Sequence, residues 1–196
     1  MEKRFRLNKT SSLHLAAGSG DVDTVELFAK NKRSLFIGGI CVTIAHLDPS
    51  GASLLSLAAS GGHVNVVQFL VQMPLPEHAG VNGPTNSGTT PLMYASEGGH
   101  EAIVQLLIAS KANPNSVNAM GETALHHAAR NKDIHTRDRI MTLLNEAGAD
   151  PSARNGKSKC ANDLIYADAA PSPALASASA GEGTLARPGA LPTGQE

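Results

Sequence analysis

The stretch that decides the fold runs from Gly88 to Asn115 and reads GTTPLMYASEGGHEAIVQLLIASKANPN. Its first half predicts a short helix that begins at Thr90-Pro91, because a threonine hydroxyl caps a helix and a proline at the first turn loses no hydrogen bond. Its second half predicts another helix, since apolar residues form a stripe at helical spacing: Ile103, Val104, Leu107 and Ile108. Each helix has only about two to three turns and cannot bury its apolar face alone. Further units must therefore stack on both sides.

The same pattern occurs three more times along the chain. Leu92 and Leu125 are 33 residues apart, and GETALHHAA, which begins at Gly121, repeats the opening of the stretch. GASLLSLAA begins at Gly51, and SSLHLAA begins at Ser11. Four such copies resemble the ankyrin repeat, whose signature is a T-P-L-H-x-A core with a period of about 33 residues. The resemblance implies an all-α solenoid of stacked helix-turn-helix units with loop or β-hairpin fingers, formed by about four repeats and a truncated fifth.

The predicted domain organisation is an ankyrin-repeat domain over residues 1–166 and a tail over residues 167–196. The repeats cover about 5–33, 48–80, 85–117 and 118–152, and a partial repeat covers 153–166. The tail is rich in Ala, Pro, Ser and Gly and has no apolar periodicity. Such a segment cannot bury enough surface to offset the entropy of ordering, so we expect it to be disordered.

Two segments depart from the regular period. Leu13 and Leu55 are 42 residues apart, and the excess lies in an apolar insertion at 34–47. Two β-favouring arms around Gly38-Gly39 predict a hairpin, and the run is shorter than the ~18 apolar residues of a membrane span. The hairpin is either an elongated finger that lies against its neighbours or an apolar arm that docks a partner. In the fourth repeat, extra polar residues between Asp133 and Ile140 predict an additional surface turn between its two helices.

Composition and charge narrow the classes of function. The net charge is −1 and aromatic residues make up 3% of the chain, so neither a general nucleic-acid footprint nor a stacking platform is indicated. The two cysteines, Cys41 and Cys160, lie far apart, which favours free thiols in a cytoplasmic protein, with the nucleus as an alternative location. The basic N-terminus precedes no apolar segment, so no signal peptide is predicted. We expect no membrane insertion and a protein that is monomeric by itself.

The chemical motifs are weak. Gly156-Lys157-Ser158 resembles the end of a phosphate loop, but Pro151 stands where that motif needs its first glycine. The resemblance to ankyrin repeats implies structural roles for the recurring histidines, which hydrogen-bond neighbouring loops and helix ends: His14, His63, His100 and His126. No catalytic constellation and no metal-ligand spacing occurs, so we expect neither an enzyme nor a cofactor or metal site.

The resemblance implies a protein–protein interaction module, an adaptor or scaffold that binds another protein through the concave face of the stack. A regulatory or inhibitory subunit that occludes a partner enzyme's site is the alternative, since both would use the same surface. In the family, finger tips and the exposed side of the first helix carry specificity. The matching positions here are Asn86, Ser87, Thr89, Glu97, Ala119, Met120, Glu122, Arg130 and Asn131. An apolar Met120 beside Glu122 and Arg130 is the strongest candidate contact patch.

Overall fold

The computed structural model describes residues 11–30, 35–37, 40–42 and 47–167. Within them the chain forms two short strands, β1 (Leu35–Ile37) and β2 (Ile40–Val42), and a 3-10 turn at Glu77–Ala79. The helices are α1 (Ser11–Ser19), α2 (Val22–Lys30), α3 (Leu54–Gly61), α4 (Val64–Val71), α5 (Pro91–Gly98), α6 (Glu101–Ala109), α7 (Ala124–Ala129), α8 (Ile134–Glu146) and α9 (Ala161–Ala167).

These helices pack in two rows. The first row contains α1, α3, α5, α7 and α9, each in contact with the next, and the second row contains α2, α4, α6 and α8. Each helix of the second row also packs on the helix that precedes it in the chain. The buried apolar residues form one continuous core that extends from Leu13 in α1 to Ala161 in α9. The predicted all-α solenoid of stacked helix pairs is confirmed, and α9 confirms the helix of the truncated fifth repeat.

The central pair, α5 and α6, follows the predicted local signals. The Thr90 hydroxyl accepts a hydrogen bond from the Met93 amide at 3.5 Å, and Pro91 occupies the first helical position. Gly99 ends α5 with a φ of 76°, a left-handed conformation that glycine adopts without a steric penalty. Of the apolar stripe on α6, three residues are fully buried and Ile108 is partly buried. The pair therefore offers apolar surface to neighbours on both sides, as the sequence requires.

One sequence prediction was wrong in the helical part. The extra residues of the fourth repeat do not form a turn between its helices; they lengthen α8, which has 13 residues where α6 has nine. Asp133 starts this longer helix, because its carboxylate accepts a hydrogen bond from the His135 amide at 3.2 Å. In α2, Val25 is buried, whereas Leu27 is 63% exposed.

The predicted hairpin is confirmed as a strand pair. β1 and β2 are antiparallel, with Leu35 opposite Val42 and Ile37 opposite Ile40. Its turn and its role as a finger or docking arm lie outside the described residues. Of the predicted disordered tail at 167–196, Ala167 is the last residue of α9, and residues 168–196 lie outside the described residues. Every helix in the described part of the chain is too short or too polar to span a bilayer.

Candidate interaction surface

Four tight turns project between the helix pairs at one edge of the stack. They cover residues 48–52, 85–89, 118–122 and 155–159, and we call them fingers one to four. Each is closed by the same backbone bond, from the amide of the first residue to the carbonyl of the fifth: 2.9 Å in fingers one, two and four and 3.0 Å in finger three. The side chain of the first residue fixes the turn from inside, and in finger three the Asn118 Oδ1 accepts the amides of Met120 (2.8 Å) and Glu122 (3.0 Å). The finger backbones are therefore held in one conformation.

Backbone hydrogen bonds also join each finger to the next. The Asn86 amide donates to the Ser50 carbonyl at 3.0 Å, and the Ala119 amide donates to the Ser87 carbonyl at 2.8 Å. The Gly156 amide continues the series to the Met120 carbonyl at 2.7 Å. Because every finger is tied to its neighbour, the four tips form a continuous row with a fixed spacing.

Histidines connect the repeats on the helical side. The His63 Nε2 donates to the Gly18 carbonyl at 2.7 Å, and the His100 Nε2 donates to the Ser60 carbonyl at 3.1 Å. His126 is fully buried, where its Nδ1 accepts from the Thr123 amide and its Nε2 donates to the Lys159 carbonyl at 3.0 Å. The structural roles predicted for these three histidines are confirmed. In the part of the chain that the structure describes, no group of His, Cys, Asp and Glu side chains has a metal-binding arrangement.

A buried polar network supports finger three. The Glu122 side chain, 5% exposed, accepts hydrogen bonds from the Arg130 guanidinium and, at 3.4 Å, from the Asn118 amide. The same Asn118 amide lies 3.3 Å from the His127 Nε2, and the His127 Nδ1 lies 2.9 Å from the Glu97 Oε2. The network thus links the end of α5 to finger three and to Arg130.

The charge of Glu122 is stabilised by its partners. Burial raises the pKa of a carboxyl group, but the hydrogen bond and positive charge of Arg130, together with Asn118 and His127, outweigh burial and lower the pKa of Glu122. The carboxylate is therefore ionised at neutral pH and holds Arg130 beside the finger. Arg130 keeps 38% of its side chain exposed, so it remains available to a partner.

Comparison with known families decides the identity of this fold. A sequence model of the ankyrin-repeat family, in three copies, matches residues 73–155, which contain the central helix pairs and fingers two and three. Residues 73–155 therefore consist of ankyrin repeats. No curated protein matches the sequence. Ankyrin repeats are generally protein–protein interaction modules and typically lack enzymatic activity, so the surface of the repeats is where a function is to be sought.

The structure separates the nine predicted contact residues of the ankyrin repeats into two groups. Five are exposed on the finger tips or beside them: Asn86, Ser87, Glu97, Ala119 and Met120. Arg130 follows α7 and is also exposed, and Asn131 is half-buried, with its Oδ1 accepting the Asp133 amide at 2.9 Å. Thr89 and Glu122 need correction, because both side chains are buried. These two side chains lie inside the fold and do not form part of the exposed surface.

Two features of the surface were not predicted from the sequence. Val117, directly before finger three, is 61% exposed and adds to the apolar surface of the predicted Met120, which is 60% exposed. Finger four and the residue before it carry three exposed cations: Arg154, Lys157 and Lys159. Sequence spacing contained a signal for the second feature, since Lys157 occupies the same finger position as Met120.

Proposed function

We propose that this ankyrin-repeat protein is an adaptor or scaffold that binds a partner protein through the concave face and the finger tips, around Met120. The observation that carries the proposal is a large apolar side chain, 60% exposed, on a finger whose backbone is fixed by hydrogen bonds. A rigid surface loses little conformational entropy on binding, which favours affinity. Methionine and arginine are both enriched in the central parts of interfaces.

The position of Arg130 adds specificity to this surface. Its guanidinium is held by the buried Glu122 carboxylate, so its exposed part has a defined place beside finger three. Glu97, half-exposed and hydrogen-bonded to His127, presents a carboxylate on the neighbouring repeat. A surface that combines an apolar anchor with a cation and an anion can discriminate partners by shape and by charge pattern.

The test is affinity capture with the immobilised protein, followed by measurement of the affinity of each captured protein. The double variant Met120→Ala, Arg130→Ala removes the apolar anchor and the adjacent cation. A matched control, Ile134→Ala, Arg139→Ala, removes an equally exposed apolar residue and an exposed arginine from α8. We expect the first variant to lose its captured partners and the control to retain them. Unchanged affinity of every captured partner for the first variant would refute the proposal.

A further inference from the structure

Charge is distributed unevenly along the stack. Residues 47–110 contain four Asp or Glu residues and no Lys or Arg, whereas residues 111–167 contain eight Lys or Arg and six Asp or Glu. Within residues 47–167, the first Lys or Arg is Lys111, which follows α6. The formal charge therefore changes from negative over residues 47–110 to positive over residues 111–167.

Cations concentrate on finger four. Arg154, Lys157 and Lys159 are all exposed, and no carboxylate of the described residues forms a salt bridge with any of them. Two of the cations act on Asp163, whose pKa is lowered by its hydrogen bonds to Cys160 and then by the charges of Arg154 and Lys159. Residues 154–159 contain three cations and no Asp or Glu, so this segment has an excess of positive charge.

The same finger position differs in burial between fingers three and four. Lys159 occupies the position that Glu122 has in finger three, but Glu122 is buried and Lys159 is exposed. Its carbonyl is fixed by the buried His126, and the Arg154 guanidinium donates to the Ser158 carbonyl at 2.6 Å. The cations stand on a fixed backbone.

Apolar surface lies directly beside these cations. Val117 and Met120 are both more than half exposed, and they belong to finger three or to the residue before it. The 2.7 Å hydrogen bond from the Gly156 amide to the Met120 carbonyl places the tips of fingers three and four in contact. We call Val117, Met120, Arg154, Lys157 and Lys159 the C-terminal finger surface.

We propose that the C-terminal finger surface binds an acidic segment of a partner protein, with an apolar side chain of that segment against Val117 and Met120 and its carboxylates against the three cations. This inference rests on the proposed function and specifies the chemistry of the partner. Opposite charges steer and orient such a segment, while the apolar contact supplies burial.

A nucleic acid fits this surface less well. A polyanion that follows the finger row passes from finger four to residues 47–110, where only carboxylates carry charge and repel phosphates. None of the five residues is aromatic, so unpaired bases find no stacking platform. A short acidic peptide needs only the cationic end of the row.

Fluorescence anisotropy with labelled synthetic peptides tests the inference on the full chain. The probe is a short peptide in which glutamates flank a single leucine. Three comparison probes are used: a peptide with lysine in place of each glutamate, a peptide with serine in place of leucine, and a single-stranded oligo-dT. We expect the acidic leucine peptide to bind most tightly and to weaken as salt rises from about 0.05 to about 0.3 M, because ions screen the cations.

Charge reversal at finger four is the decisive variant. Lys157→Glu with Lys159→Glu should weaken the acidic peptide by about tenfold, and Met120→Ser should weaken it by about fivefold. Lys111→Glu and Ile134→Ser make the same chemical changes at exposed sites outside the surface and should leave affinity within about twofold. These five positions are exposed, so folding should be retained and is checked by circular dichroism.

Several results would overturn the inference. Equal affinity for the acidic and basic peptides would remove its electrostatic basis, and tighter binding of oligo-dT would assign the surface to nucleic acid. Equal losses for the variants and their controls would show that the surface is not involved. If no peptide binds while Met120→Ala, Arg130→Ala still loses its captured proteins, the acidic-segment inference fails and the proposed function stands.

Discussion

Replacing Leu107 by alanine tests the mechanical role of the central helix pair. Leu107 is fully buried in α6, which packs against α4 on one side and α8 on the other. The change removes about three methylene equivalents, worth ~2.4 kcal/mol at ~0.8 kcal/mol each. The cavity that remains adds a further term, so the free energy of unfolding should fall by ~2–5 kcal/mol. Leu92→Ala in α5 removes the same group from the first row, where α5 packs on α3 and α7, and should cost a similar amount.

The effect should extend beyond the loss of stability. In a stack where each repeat contacts only its neighbours, cooperativity depends on the interfaces between repeats. We expect Leu107→Ala to divide urea unfolding, followed by circular dichroism, into two transitions, and hydrogen exchange should become faster in α5 and α6 than in α7 and α8.

Leu27→Ala is the control, because its leucine is 63% exposed and its loss should cost less than about 0.5 kcal/mol. A single transition with only a small shift for Leu107→Ala would refute the role of the central pair as the unit that couples both halves.

Two further predictions concern single positions. Lys111 follows α6 with a φ of 66°, and Gly148 follows α8 with a φ of 86°, a left-handed conformation that favours glycine. In urea titrations, Lys111→Gly should therefore stabilise the protein by roughly 0.5–1 kcal/mol, and Gly148→Ala should destabilise it. A destabilising Lys111→Gly would contradict the steric argument. The lowered pKa of Glu122 means that its ionised form stabilises the fold above the unfolded pKa of about 4.3 and that this contribution is lost as pH falls through the folded pKa. Glu122→Gln should therefore cost about 1.5–3 kcal/mol at pH 7 and progressively less below about pH 4, and a cost that does not change with pH would count against the ionised network.

Local sequence signals predicted the helices well because the determining interactions are local. Thr90-Pro91 specifies the start of α5 through a cap and a fixed φ, and the strand pair of β1 and β2 follows from β-favouring residues on both sides of a glycine pair. The helix of the fifth repeat was also predicted from the sequence, since α9 begins two residues after the end of finger four, as α3, α5 and α7 do after fingers one to three. In these cases each residue's neighbours in sequence are also its neighbours in space.

The candidate site was harder to predict because the burial of its residues depends on tertiary contacts. Thr89, Glu122 and Lys159 occupy the same finger position, yet the first two are buried and the third is exposed. His127 stood outside the family pattern, and only the structure shows that it joins Glu97 to the buried network. A contact with the repeat about 33 residues away cannot be predicted from the local sequence.

The most direct test of the account is site-resolved oxidation of methionine with a captured partner bound. Hydrogen peroxide converts an exposed methionine to its sulfoxide, and Met120 is 60% exposed, whereas Met93 is buried in α5. The account predicts that the bound partner slows oxidation of Met120, read by mass spectrometry, and leaves the half-buried Met73 and Met141 unchanged. Oxidation of Met120 at the same rate in the free and the bound protein would contradict the claim that the finger row binds the partner.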